Sequence, residues 1–82
     1  MTYEEKSRKV KAEREAQRVC NELRRLTGTN FRASLYSIGV QVQAQIIGID
    51  GPYCIYAAND WGGMENVMFS IAETLGMVGQ EG

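Results

Sequence analysis

From Val40 onward hydrophobic and polar residues alternate: Val40, Val42, Ala44 and Ile46 against Gln41, Gln43 and Gln45. A period of two is the pattern of a strand with one buried face. A second short apolar run, Tyr53 to Ala58, follows Asp50-Gly51-Pro52, so the two runs read as a hairpin. A two-residue turn at Asp50-Gly51 requires an N–H from residue 52 to close it, and proline has none. The pattern therefore predicts a four-residue loop from Ile49 to Pro52. That loop pairs Gly48 with Tyr53, Ile46 with Ile55 and Ala44 with Ala57. Cross-strand partners share a face, so Val40, Val42, Ala44, Ile46, Ile55 and Ala57 are expected on the core side. Gln41, Gln43, Gln45, Ile47, Cys54 and Tyr56 are expected on the other.

Upstream, the period changes. Ala12, Ala16, Val19, Leu23 and Leu26 recur at spacings of four and three, with Cys20 beside them, which is one stripe of an amphipathic helix. Thr2 and Glu5 stand as a capping box, and Gly28 is placed to end the helix in a left-handed conformation. The helix is predicted over 3–27. Its charged first turns precede the stripe and are expected to project beyond the sheet or fray. Phe31, Ala33 and Leu35 alternate with Arg32, Ser34 and Tyr36, predicting a strand over 30–37; the hairpin strands fall at 40–49 and 53–58. Asp60 is a good N-cap. After it Trp61, Met64, Met68, Ile71, Leu75 and Val78 follow at helical spacing with Val67 and Ala72 beside them, predicting a helix over 60–76 that stops at Gly76. The last residues, 79–82, are expected to be a disordered tail.

The order is helix, strand, strand, strand, helix, with one apolar stripe on each helix and one apolar face on the sheet. The simplest packing is a single α+β domain in two layers, a three-stranded antiparallel sheet with both helices on one face. This layout resembles the double-stranded RNA-binding domain, and the likeness is one of element order across most of the chain. That family grips the RNA backbone through basic residues opening its last helix. The matching segment here reads DWGGMEN, with Asp60 and Glu65 and no lysine or arginine. Phosphate contact rests on basic side chains, so the resemblance implies the fold and not the activity.

Composition narrows function by exclusion. The chain has 82 residues and a formal net charge of −1, so no global field favours nucleic acid. Residues 1–25 carry eight basic and five acidic side chains, whereas 26–82 carry one basic and five acidic; a positive helix is attached to a negative body. No apolar run is long enough to span a bilayer, no signal peptide pattern opens the chain, and the expected setting is a reducing cytoplasm. There are no histidines, which removes the commonest general base and metal ligand. The two cysteines lack a CxxC spacing and, in the predicted register, fall on opposite sides of the sheet, so no disulfide between them, no metal and no cofactor is expected. Asp60 and Glu65 read as helix-start carboxylates rather than a catalytic pair. Gly62-Gly63 reads as a tight strand-to-helix junction rather than a phosphate loop.

Two surfaces remain as candidates. The outer sheet face is expected to present Arg32, Ser34, Tyr36, Gln41, Gln43, Gln45, Ile47, Cys54 and Tyr56; tyrosines among amides suit a protein interface. The outward side of the first helix presents Val10, Arg14, Gln17, Asn21, Arg24 and Arg25, whose arginines suit an acidic protein or a phosphate backbone. The reading is a non-enzymatic protein-binding module. By its size and lack of catalytic groups it resembles phage and mobile-element accessory inhibitors, anti-CRISPR or other anti-defence types, that occlude a host complex sterically. Tyr36 and Tyr56 would be its anchors. The alternatives are a nucleic-acid-associated regulator using the first helix and a self-assembling structural protein, such as a homodimer.

Overall fold

The computed structural model describes residues 2–78; the expected tail at 79–82 lies outside the described residues. The elements run α1 (Tyr3–Thr27), β1 (Arg32–Ile38), β2 (Gln41–Gly48), β3 (Gly51–Ala58) and α2 (Trp61–Met77). The three strands form one antiparallel sheet in the order β1-β2-β3. α1 packs against α2 and β1, and α2 against β2 and β3, so both helices lie on one face and the α+β, two-layer class holds. The helices run in the same direction. Arg8 and Lys9 of α1 meet Gly62 and Trp61 at the start of α2, and Arg25 reaches Leu75 and Val78 at its end.

The caps follow from local chemistry. The Thr2 hydroxyl accepts a hydrogen bond from the Glu5 amide at 3.2 Å, and the Asp60 carboxylate accepts one from the Gly63 amide at 2.7 Å, each satisfying an orphan N–H of a first turn. Gly28 closes α1 at φ 78°, its amide donating to the Arg24 carbonyl. α1 is helical from its first turn. Arg8 and Lys9 are held against α2, with the Lys9 ammonium 5.6 Å from the Trp61 ring centroid.

The core is made by Ala12, Ala16, Val19, Cys20 and Leu23 of α1, Val42, Ala44 and Ile46 of β2, and Trp61, Met64, Met68 and Ala72 of α2. Leu26, expected in the stripe, is 37% exposed, in the last turn of α1 before Gly28 ends the helix. Val78, expected in the α2 stripe, lies beyond the helix and is exposed. α2 runs one residue past Gly76. Ile46 pairs with Ala33 on one side and Cys54 on the other and is fully buried. A side chain of that size stabilises by roughly 1.5–3 kcal/mol when buried.

The two turns correct the predicted hairpin. Gly39 and Val40 connect β1 to β2, with Ile38 opposite Gln41 and Gly39 at φ 58°, a glycine-first two-residue turn. Val40, expected in the core, is therefore a turn residue, 91% exposed. In the second turn Gly48 pairs with Gly51, so the two-residue loop is Ile49-Asp50 rather than the four-residue loop from Ile49 to Pro52. The tight turn sits one residue earlier than Asp50-Gly51. Gly51, not Pro52, stands at its closing position, and its φ of 121° favours glycine. Pro52 then pairs with Ile47 and Cys54 with Ile46, leaving Tyr53 as a bulge. The result moves β3 by one residue against the expected register. Cys54, Tyr56 and Ala58 share the core side with Ile46, Ala44 and Val42; Ile55 and Ala57 share the outer side with Gln45 and Gln43.

Candidate functional site

The outer sheet face is covered by neither helix. β1 contributes Arg32, Ser34, Tyr36 and Ile38; β2 contributes Gln41, Gln43, Gln45 and Ile47; β3 contributes Ile55 and Ala57. The Tyr36 hydroxyl donates to the Gln43 side-chain carbonyl across the β1–β2 pair at 3.2 Å, which ties the two side chains together. Ile55 is 55% exposed and Ile38 is similarly open. Arg32 is the face's one charged residue. The surface is therefore a band of amides and aromatic or aliphatic groups with a positive corner.

Tyr56 does not belong to it. Expected as an anchor, it lies on the core side beside Cys54, half-buried. The neighbouring Cys54 thiol and then burial push its phenol up to about 12, since both favour the neutral form. Cys54 is likewise on the core side. The expectation that the two cysteines are separated by the sheet fails with the register: Cys20 on α1 and Cys54 on β3 both face the layer between helices and strands. Burial, and then the proximity of Cys54, push the Cys20 thiol up. Both are free thiols. The outer-face residues missed from sequence are Ile38, Ile55 and Ala57. For Ile55 and Ala57 the signal was the proline directly after Gly51, which forces either a longer loop or an earlier turn followed by a bulge; Ile38 belongs to the face because β1 runs up to the Gly39-Val40 turn.

The basic side of α1 is divided. Arg25 is engaged in structure: its guanidinium donates to the Leu75 and Val78 carbonyls at 3.0 and 3.1 Å and to Glu22. It thus satisfies the carbonyls that end α2. Arg18 joins Glu15 and Glu73 and lies 5.6 Å from the Phe69 ring. Its side-chain hydrogen bond to Glu15, reinforced by Glu73, raises its already high pKa further. Arg14 and Arg24 are exposed, and among the described residues no ion pair engages either. So Arg14, Arg24 and Arg25 do not form the single free patch that the helical wheel suggests.

A cleft of about 750 Å³ opens where both helices begin, lined among others by Glu4, Glu5, Arg8, Val40, Asp60 and Gly62. The Asp60 carboxylate there is occupied by the Gly63 amide, and a Cβ on Gly62 would stand 2.6 Å from the Arg8 guanidinium. The absence of a side chain at Gly62 makes room for Arg8 to cross the start of α2. Among the described residues no group of three or more histidine, cysteine or carboxylate side chains is placed to hold a metal ion, and no buried residue is polar or charged. Among the described residues no helix is long and apolar enough to cross a membrane. No protein-family model matches the chain, and neither a curated protein nor a solved structure gives a match.

Proposed function

We propose that this protein is a non-enzymatic protein-binding module whose outer sheet face is the docking surface. One observation carries the reading: Tyr36, Ile38, Ile47, Ile55 and Ala57 stand together with three glutamines on a face that neither helix covers, with Arg32 as its one charge. Apolar and aromatic groups grouped on an open face, with few charges, are the composition of a recognition surface rather than of a solvated one. The partner has a matching apolar patch rimmed by hydrogen-bonding groups. Tyr36, already positioned by Gln43, is the anchor, and Ile55 takes the place that Tyr56 was expected to hold. A phage or mobile-element inhibitor of the anti-CRISPR or other anti-defence type, blocking a host complex by occupying its surface, is the form we propose for this activity. No reaction is proposed.

The test is capture of a host protein by the full chain, followed by cross-linking to map the contact. Cross-links are expected around Gln43, Ile47 and Ile55, and an Ile47→Asp/Ile55→Asp variant is expected to lose at least tenfold in affinity. Full binding by that folded variant would remove the outer face as the docking surface. A second reading, regulation of nucleic acid through α1, is supported by Arg14 and Arg24, which are exposed and, among the described residues, in no ion pair. It requires binding that falls steeply with salt and is lost in Arg14→Ala/Arg24→Ala.

A further inference from the structure

The sheet has two edges, and they are unlike. The edge of β3 carries Pro52, which has no N–H, at its second residue and is bent by the bulge at Tyr53. Prolines and bulges are the devices by which natural sheets keep an edge from pairing. The edge of β1 has neither. It reads RASLYSI, without glycine or proline, and matches β2 over seven consecutive pairs with no irregularity. Among the described residues no strand lies beyond it. Ala33 and Leu35 point toward the core and are still only half-buried, so α1 does not seal this side.

We propose that β1 pairs antiparallel with β1 of a second copy, about a two-fold axis at Leu35, to make a six-stranded sheet. In that register Leu35 faces Leu35 of the second copy, Ser34 faces Tyr36, Ala33 faces Ser37 and Arg32 faces Ile38. Residues that face the core meet residues that face the core, so the helices of both copies stay on one side. Charge agrees with this register. Arg32 is the strand's one charge; it meets an isoleucine, and the two arginines lie about 20 Å apart at opposite ends. Above the strands, Glu13 and Arg24 fall on the flank of α1 opposite Glu22, which lies beside Gly76 of α2, at 100° per residue. The flank of α1 turned toward the second copy therefore carries charges of both signs.

The pairing stands on the edges and not on the partner reading, but it changes the size of the docking face. One sheet of three strands of this length offers a footprint of about 25 by 14 Å, roughly 350 Å². Standard interfaces use about 800 Å² on each side. Two copies side by side present a continuous face of roughly 700 Å² by the same geometry.

The experiment is sedimentation equilibrium on the pure full chain over a wide concentration range. The mass is expected to rise from 9.2 kDa toward twice that value. A Ser34→Lys/Tyr36→Lys variant places lysine opposite lysine twice, and Ser34→Glu/Tyr36→Glu places glutamate opposite glutamate; each alone is expected to stay monomeric. Their equimolar mixture is expected to recover the doubled mass. A wild-type chain that stays at 9.2 kDa, folded variants that double as the wild type does, or a folded mixture that fails to recover would each overturn the pairing. Should the variants not fold, hydrogen exchange on the wild type decides: β1 amides must slow with concentration while β3 amides do not, and equal behaviour at both edges overturns it. A monomer leaves the partner reading intact. A dimer with no host partner on its outer face removes that reading and leaves the pairing.

Discussion

β1 and β3 flank the same central strand, and one extra residue separates their behaviour. β1 answers β2 residue for residue, so its alternation translates directly into an inner and an outer face. β3 carries Tyr53 as a supernumerary residue between Pro52 and Cys54. The tyrosine is accommodated at the end of the sheet, 62% exposed, with its ring edge-on to Phe31 at 5.4 Å between centroids. Phe31 in turn lies over Gly48, where a Cβ would stand 3.1 Å from its ring. Because the side-chain period of a strand is two, this one insertion decides which half of β3 faces the helices. A regular edge thus remains open to pairing, whereas the irregular edge is closed to it and has its faces exchanged.

The largest expected effect tests the point that the two strands share. Ile46 pairs with both, and Ile46→Ala is expected to cost about 3 kcal/mol. That is a large part of the roughly 4–12 kcal/mol available to a domain of this size. By thermal unfolding it is a fall in midpoint on the order of 15 °C. A loss under 1 kcal/mol would mean that Ile46 is not the centre of the layer.

The next effect discriminates between the two possible faces of β3. Cys54→Asp puts a carboxylate toward the helices and is expected to cost about 2 kcal/mol more than Ile55→Asp, which puts it in solvent. In the four-residue-loop register the order reverses, so denaturant midpoints of the two variants decide the bulge outright.

The smallest effect is in pH. The Tyr56 phenol ionises near 10 when unfolded and is held neutral to about 12 in the fold. Its contribution is fully present below pH 10 and is lost as pH rises through 12. The Cys20 thiol, also raised, acts in the same direction from a lower starting point. The unfolding midpoint should therefore decline above about pH 9, and Cys20→Ala/Tyr56→Phe should decline less. An equal slope in both proteins would show that neither group carries the dependence.

The parts of the fold that were legible in the sequence are those set by local chemistry. Thr2, Asp60 and Gly28 mark helix ends because orphan amides and a left-handed terminus need those side chains. The stripes of α1 and α2 and the alternation of β1 and β2 give the layers. The β3 register was not legible, because proline argues equally for a longer loop or for an earlier turn with a bulge. Ile49, an apolar residue in a turn, gave no sign of which. The candidate site inherited that error: Arg32, Tyr36, Gln41, Gln43 and Gln45 lie where the alternation placed them, Tyr56 does not, and Ile55 went unnoticed. Arg25 departs from the helical-wheel expectation for another reason. A helical wheel shows which side a residue is on, and not that its guanidinium reaches carbonyls fifty residues later.

The shared direction of α1 and α2 has an electrical consequence. Peptide dipoles along two parallel helices add instead of cancelling, so the layer acts as one dipole with about a full elementary charge at each pole. Thr2 and Asp60 quiet the positive pole, and Arg25 sits against the negative one with its charge on the last carbonyls of α2. Neutralising Arg25 would leave two helix ends of the same sign facing each other across the layer, and the terminal turns of both would loosen together.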